Sequence, residues 1–68
     1  MQYQVYGNYG YLGENLLFES NSLDHAIRWA TRYVRWGDFG GYSLIDVANF
    51  TEDGEFISHW SRSEEEAY

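Results

Sequence analysis

The sequence predicts a small α+β fold, in which one amphipathic helix packs on one face of a four-stranded antiparallel sheet. Three observations predict this fold. One segment has apolar residues at helical spacing, four short segments are rich in β-branched and aromatic residues, and glycine-containing turns separate them. The predicted order is β-β-α-β-β. A chain of 68 residues has the length of one domain, and we expect that domain to span residues 1–61.

The first two predicted strands are residues 2–7 and residues 14–19. Both are rich in apolar and aromatic side chains that partly alternate, and Leu16 and Phe18 are expected to share a face. The segment between the strands is rich in glycine and tyrosine, which permits tight turns. The two strands are therefore predicted to form a hairpin.

A helix is predicted from Leu23 to Trp36. Asn21 and Ser22 are both good N-cap residues, and Gly37 would end the helix as a C′ glycine. The residues at helical spacing form one apolar stripe that should pack on the sheet. Its members are Leu23, Ile27, Ala30 and Val34, flanked by Ala26 and Tyr33.

The second half of the chain predicts another hairpin. Residues 38–41 are expected to be a loop and residues 42–50 a strand. Residues 51–54 contain the Asp-Gly pair that favours a hairpin turn, and residues 55–61 return as the fourth strand. Residues 62–68 are predicted to be an acidic, flexible C-terminal tail.

One helix can cover only one face of such a sheet. The other face would then hold some of six large side chains, depending on the register: Tyr6, Leu17, Tyr42, Leu44, Phe56 and Trp60. An apolar sheet face of this size should not remain in contact with water. We therefore expect a second copy, in a homodimer, or a target protein to cover it.

The composition limits the function classes. The net charge is −7, lysine is absent, and the two halves of the chain, residues 1–34 and 35–68, carry −1 and −6. Such a surface repels nucleic acids and anionic membranes and favours a basic protein partner, although solvation alone also explains an acidic surface. The absence of cysteine excludes disulfides and thiolate zinc sites. We expect no cofactor, no metal, no membrane segment and a cytoplasmic location.

The helix also carries an outer stripe that could bind a partner. Trp29, Arg32 and Trp36 are spaced so that the guanidinium could stack on either indole. Tryptophan and arginine are enriched at binding hot spots, and Trp60 of the fourth strand is a further candidate. The alternative is that the tryptophan rings cover the edge of the sheet and serve the fold.

Acidic residues of the second half are the other candidates for partner binding. They are Asp46, Glu52, Asp53 and Glu55, followed by three glutamates in the tail. Carboxylates on a rigid hairpin could imitate nucleic-acid phosphates and occupy the basic groove of a nucleic-acid-binding enzyme. The alternative is a solvated acidic rim.

The sequence offers no convincing catalytic motif. The weak acid–base candidates are His59 with Glu55 and His25 with Asp24, and neither pair has a spacing that favours a hydrogen bond. We therefore expect a protein that is not an enzyme and that acts through its surface.

In overall character the chain is similar to phage-encoded inhibitors of restriction and CRISPR systems, which are typically small, acidic and rich in aromatic residues. The similarity includes no shared motif, so it implies no site residues. It implies an inhibitor that docks on a larger, basic host protein. A small-molecule-binding regulatory domain and a structural subunit of a larger complex are the alternatives.

Overall fold

The computed structural model describes residues 2–8 and 14–63. The elements in chain order are β1 (Tyr3–Asn8), β2 (Glu14–Ser20), α1 (Leu23–Trp36), a 3₁₀ turn (Asp38–Gly41), β3 (Leu44–Phe50) and β4 (Phe56–Ser63). The strands form one antiparallel sheet in the order β2-β1-β3-β4. The predicted α+β fold and the β-β-α-β-β order are confirmed.

Helix α1 begins where the capping signal predicts. Ser22 has extended backbone angles, and its hydroxyl accepts a hydrogen bond of 3.2 Å from the backbone N–H of His25. Asp24 lies in the first turn, where the helix dipole favours a negative charge. These two local features stabilise the first turn of the helix.

Helix α1 ends at Trp36 as predicted, but Gly37 does not have the left-handed conformation of a C′ glycine. Its φ is −92°, and its N–H donates to the carbonyl oxygen of Tyr33 at 2.8 Å. A Cβ at this position would lie 2.6 Å from that oxygen, so glycine is needed for the close approach. The left-handed angles come later, at Phe39 (φ 60°) and Gly40 (φ 57°).

Two β-bulges set the register of the sheet. In β2, Val5 pairs with Phe18 but Tyr6 pairs with Leu16, so Leu17 is an extra residue. In β4, His59 is the extra residue between two regular pairs with β3. The expectation that Leu16 and Phe18 share a face is therefore wrong, because the bulge between them reverses the alternation.

The second hairpin confirms the predicted Asp-Gly turn. Gly54 has a φ of 84°, and its N–H donates to the carbonyl oxygen of Thr51 at 2.9 Å. Strand β4 continues to Ser63, two residues into the segment predicted as tail. The rest of that tail and the turn predicted between the first two strands lie outside the described residues.

The core lies between α1 and the sheet. Val5, Ile45 and Val47 are fully buried on the sheet side, and Ala26 and Ala30 face them from the helix. The small alanine side chains let the helix approach the sheet closely, over β2, β1 and β3. The face of the sheet away from α1 has no covering element among the described residues.

Candidate protein-binding surface

We call the sheet face away from α1 the open face. Side chains alternate along β3, so the buried Ile45 and Val47 point to α1 and their neighbours point away. Strand pairing extends this assignment to the other strands. The larger apolar residues of the open face are Tyr6, Leu16, Leu44, Phe50 and Phe56, and its acidic residues are Glu14, Glu19 and Asp46.

An aromatic cluster lies on the open face, at the end next to the turn between β3 and β4. The ring centroids of Tyr6 and Phe50 are 6.4 Å apart, those of Tyr6 and Phe56 are 6.3 Å apart, and those of Phe50 and Phe56 are 5.4 Å apart. Phe50 and Phe56 nevertheless remain 47% and 43% exposed. Beneath them Ala48 is fully buried. The cluster therefore presents apolar surface to solvent.

The structure corrects the predicted membership of this face. Leu17, Tyr42 and Trp60 pack against the core cluster instead, because the two bulges change the face on which their strands present them and because Tyr42 covers Gly7. Phe50 was missed, although it has the same strand parity as Leu44 and Ala48. That parity was the signal that could have found it.

The arginines all lie on the helix side of the molecule. Three arginines lie on α1, and Arg62 pairs with Ile45 and so lies on the helix side of β4. The open face carries three carboxylates and, among the described residues, no base. Burial, followed by the charges of Glu14 and Glu19, raises the pKa of Tyr6. The open face is therefore an electrically negative surface that carries an aromatic cluster.

Asp46 is the half-buried carboxylate of the open face. It lies opposite Tyr6 in the sheet, and its Oδ1 accepts a hydrogen bond of 3.1 Å from the hydroxyl of Ser58. Burial raises the pKa of Asp46, and the hydrogen bond from Ser58 opposes that effect. Within the described part of the chain, the only salt bridge joins Arg28 to Asp24, far from this carboxylate in the sequence.

The other predicted acidic candidates occupy a different place. Glu52, Asp53 and Glu55 are exposed at the turn between β3 and β4. Phe50 is the last residue of β3 before this turn. Asp46 lies four residues before Phe50 on the extended strand, so it is about 13 Å from the end of the strand next to the turn. The structure thus divides the acidic set into a hairpin tip and one carboxylate on the open face.

The two tryptophans of the predicted outer stripe of α1 lie in different surroundings. Trp29 stacks between Phe18 (centroids 4.8 Å apart) and Tyr33 (5.1 Å) and packs against the core. Trp36 is 71% exposed, and the guanidinium over its ring, at 5.7 Å, belongs to Arg35 rather than to Arg32. Trp29 therefore serves the fold, as the alternative interpretation proposed, and Trp36 is the accessible indole.

Trp60 and the two histidines have structural neighbours. The Trp60 ring packs against the core cluster beneath the guanidinium of Arg62, 5.2 Å away. His59 contacts the Asn49 side chain and the ring edge of Tyr3. His25 packs against Phe18. Neither histidine is paired with the acid that the sequence suggested for it, and the described residues contain no group of three metal-ligating side chains.

The sequence matches no protein-family model, and searches of curated proteins and of solved structures find no significant match. In the described part of the chain, α1 lacks the length and the apolar character needed to cross a membrane.

Proposed function

We propose that this chain is a non-enzymatic protein-binding module. In its most concrete form it is a phage or mobile-element inhibitor that docks on a larger, basic host protein such as a defence nuclease complex. The observation that supports this proposal is the open face, which carries both an exposed aromatic cluster and three carboxylates. No base of the described residues lies on that face.

The two properties of the open face contribute differently to binding. An aromatic cluster removes much apolar surface from water when a partner covers it, and aromatic residues dominate the energy of many interfaces. The carboxylates act at longer range, because complementary charges guide two proteins together and accelerate their association. A basic surface that also carries apolar residues satisfies both requirements.

The hairpin tip can add to this interaction. Glu52, Asp53 and Glu55 are exposed on a turn that a hydrogen bond between Gly54 and Thr51 stabilises. Carboxylates fixed in this way can occupy positions on a basic protein that nucleic-acid phosphates would otherwise occupy. The tip would then compete with nucleic acid while the open face anchors the complex.

The carboxylates of the open face also affect whether two copies can form the predicted homodimer. Two copies that met through their open faces would bring six carboxylates together without a cation from the described residues of either face, three from each copy. Like charges that lose water oppose association. We therefore favour a different, basic protein over a second copy as the partner.

Affinity capture from a host-cell lysate tests the proposal. We expect wild-type protein to capture a basic protein in a salt-sensitive manner, and Phe50→Ala to reduce the capture strongly. Trp36→Ala is the matched control, because it removes an exposed aromatic ring from the helix side and should capture the partner normally. Equal capture by both variants, or capture that persists in high salt and after charge reversal at Glu52, Asp53 and Glu55, would contradict the proposal.

A further inference from the structure

The open face has a feature that specifies the chemistry of its partner. We propose that Asp46, together with the ring of Tyr6, is a receptor for an arginine side chain of the partner protein. This inference rests on the proposed function and deepens it, because it names the group that the open face recognises.

Asp46 is suited to bind a cation. It is half-buried in the middle of β3, so its position is fixed by strand pairs on both sides, with Tyr6 and with Ser61. Ser58 donates to one carboxylate oxygen and holds the group in place. A carboxylate has about four acceptor positions, so the contact with Ser58 leaves acceptor positions for a ligand.

The aromatic neighbour favours arginine over lysine. Tyr6 lies directly opposite Asp46, and its ring is supported by Phe50 and Phe56. A planar guanidinium can stack on an aromatic ring while its N–H groups donate to a carboxylate in a fixed geometry. A lysine ammonium binds as a point charge and gains less from such a planar surface.

The surrounding charges favour a partner that is not a second copy. Glu14 and Glu19 lie on the same face and act electrostatically on Tyr6. The arginines of this chain are on the helix side, so an arginine reaches Asp46 from another copy only by stacking helix side to open face. Such a head-to-tail contact would produce rings or open chains of molecules, and two molecules of charge −7 repel each other at long range.

The site can be tested on the full chain with peptide probes. The first probe is a short peptide in which arginine is flanked by leucines, and the matched probes carry lysine or the neutral isostere citrulline instead. In an NMR titration we expect the arginine peptide to shift the backbone signals of Tyr6, Asp46 and Ser58. We also expect it to lower the pKa of the Asp46 carboxyl, because a bound cation favours the ionised form.

Matched variants test whether peptide binding depends on the Asp46 carboxylate. Asp46→Asn keeps the size of the side chain and an acceptor for Ser58, and should weaken arginine-peptide binding about tenfold, as expected for a charged hydrogen bond. Asp24→Asn removes one charge from the helix side, away from the open face, and should leave binding unchanged. Thermal unfolding of both variants checks that the fold is retained.

Several results would overturn the inference. They are equal binding of the lysine peptide, unchanged binding by Asp46→Asn, or signal shifts confined to the hairpin tip. Sedimentation that shows dimers or longer chains that Asp46→Asn dissociates would assign the open face to a second copy. If Phe50→Ala abolishes partner capture but Asp46→Asn does not, the arginine site is wrong and the proposed function stands. Arginine-peptide binding at Asp46 without any salt-sensitive capture would contradict the proposed function alone.

Discussion

A group of three aromatic rings in contact lies on each side of the sheet, but the two groups have different surroundings. On the helix side, Trp29 of α1 stacks between Phe18 of β2 and Tyr33 of α1 and packs against the core. On the open face, Phe50 and Phe56 contact Tyr6 but stay close to half exposed. The comparison teaches that aromatic content alone does not distinguish residues that stabilise the fold from residues that remain available to a partner. The distinction depends on whether other parts of the chain pack over the aromatic rings.

The largest expected difference in stability is between variants of aliphatic side chains on the two faces of the sheet. Ile45 is fully buried under α1, whereas Leu16 of the open face is 54% exposed. Ile45→Ala should lower the free energy of unfolding by about 2–5 kcal/mol, because it leaves a cavity. Leu16→Ala should lower it by less than about 1 kcal/mol. Urea unfolding followed by circular dichroism measures both, and similar losses would show that the open face is part of the core.

The tryptophans of α1 give the next largest contrast. Trp29→Ala removes a half-buried ring from an aromatic stack and should lower the free energy of unfolding by roughly 2–3 kcal/mol, below the range for a fully buried ring. Trp36→Ala should change it by no more than about 0.5 kcal/mol. Thermal unfolding of the two variants tests this prediction. It is contradicted if Trp36→Ala is as destabilising as Trp29→Ala.

A smaller effect is expected inside the aromatic cluster of the open face. A double-mutant cycle of Phe50→Ala and Phe56→Ala should give a coupling energy of about 0.5–1.5 kcal/mol, because the rings are in direct edge contact. Urea unfolding of the two single variants and the double variant supplies the cycle. A coupling near zero would mean that the rings do not form a cohesive surface in solution.

The smallest expected effect concerns the pH dependence of stability. Burial raises the pKa of Asp46 above the ordinary value of 3.8, so the ionised group is less favourable in the folded chain than in the unfolded chain. Its contribution to the free energy of unfolding therefore decreases as the pH rises from 3.8 through the raised pKa. Asp46→Asn should remove this decrease, and the carboxyl's partial exposure keeps the effect small. Unfolding curves of both proteins across this pH range, compared with those of Asp53→Asn, provide the measurement. An identical pH dependence for wild type and Asp46→Asn would contradict it.

The elements defined by local signals were predictable from the sequence. The bounds of α1 follow from the N-cap at Ser22, the apolar periodicity and Gly37, and all three act within a few residues. The hairpin turn follows from the Asp-Gly pair for the same reason. Register was not predictable, because a bulge inserts its extra residue only when two strands pair. Leu17 and His59 carry no local mark of that role.

The candidate surface was predictable in part. The uncovered sheet face is predicted by the number of elements, because one helix covers only one face. Asp46 is a candidate because of its charge. The restriction of the arginines to the helix side was not predictable, because the position of Arg62 depends on the register of β4. The pairing of β1 with β3 brings Tyr6 to Asp46, and this long-range contact has no signal in a single sequence.

The two bulges have a consequence beyond register. Both extra residues, Leu17 and His59, lie in β2 and β4, which are the two outer strands of the sheet. An outer strand with free backbone groups can template further strands, and a bulge interrupts the flat backbone ladder that such growth requires. The bulge in each outer strand therefore disfavours strand exchange and fibril growth at both edges of the sheet.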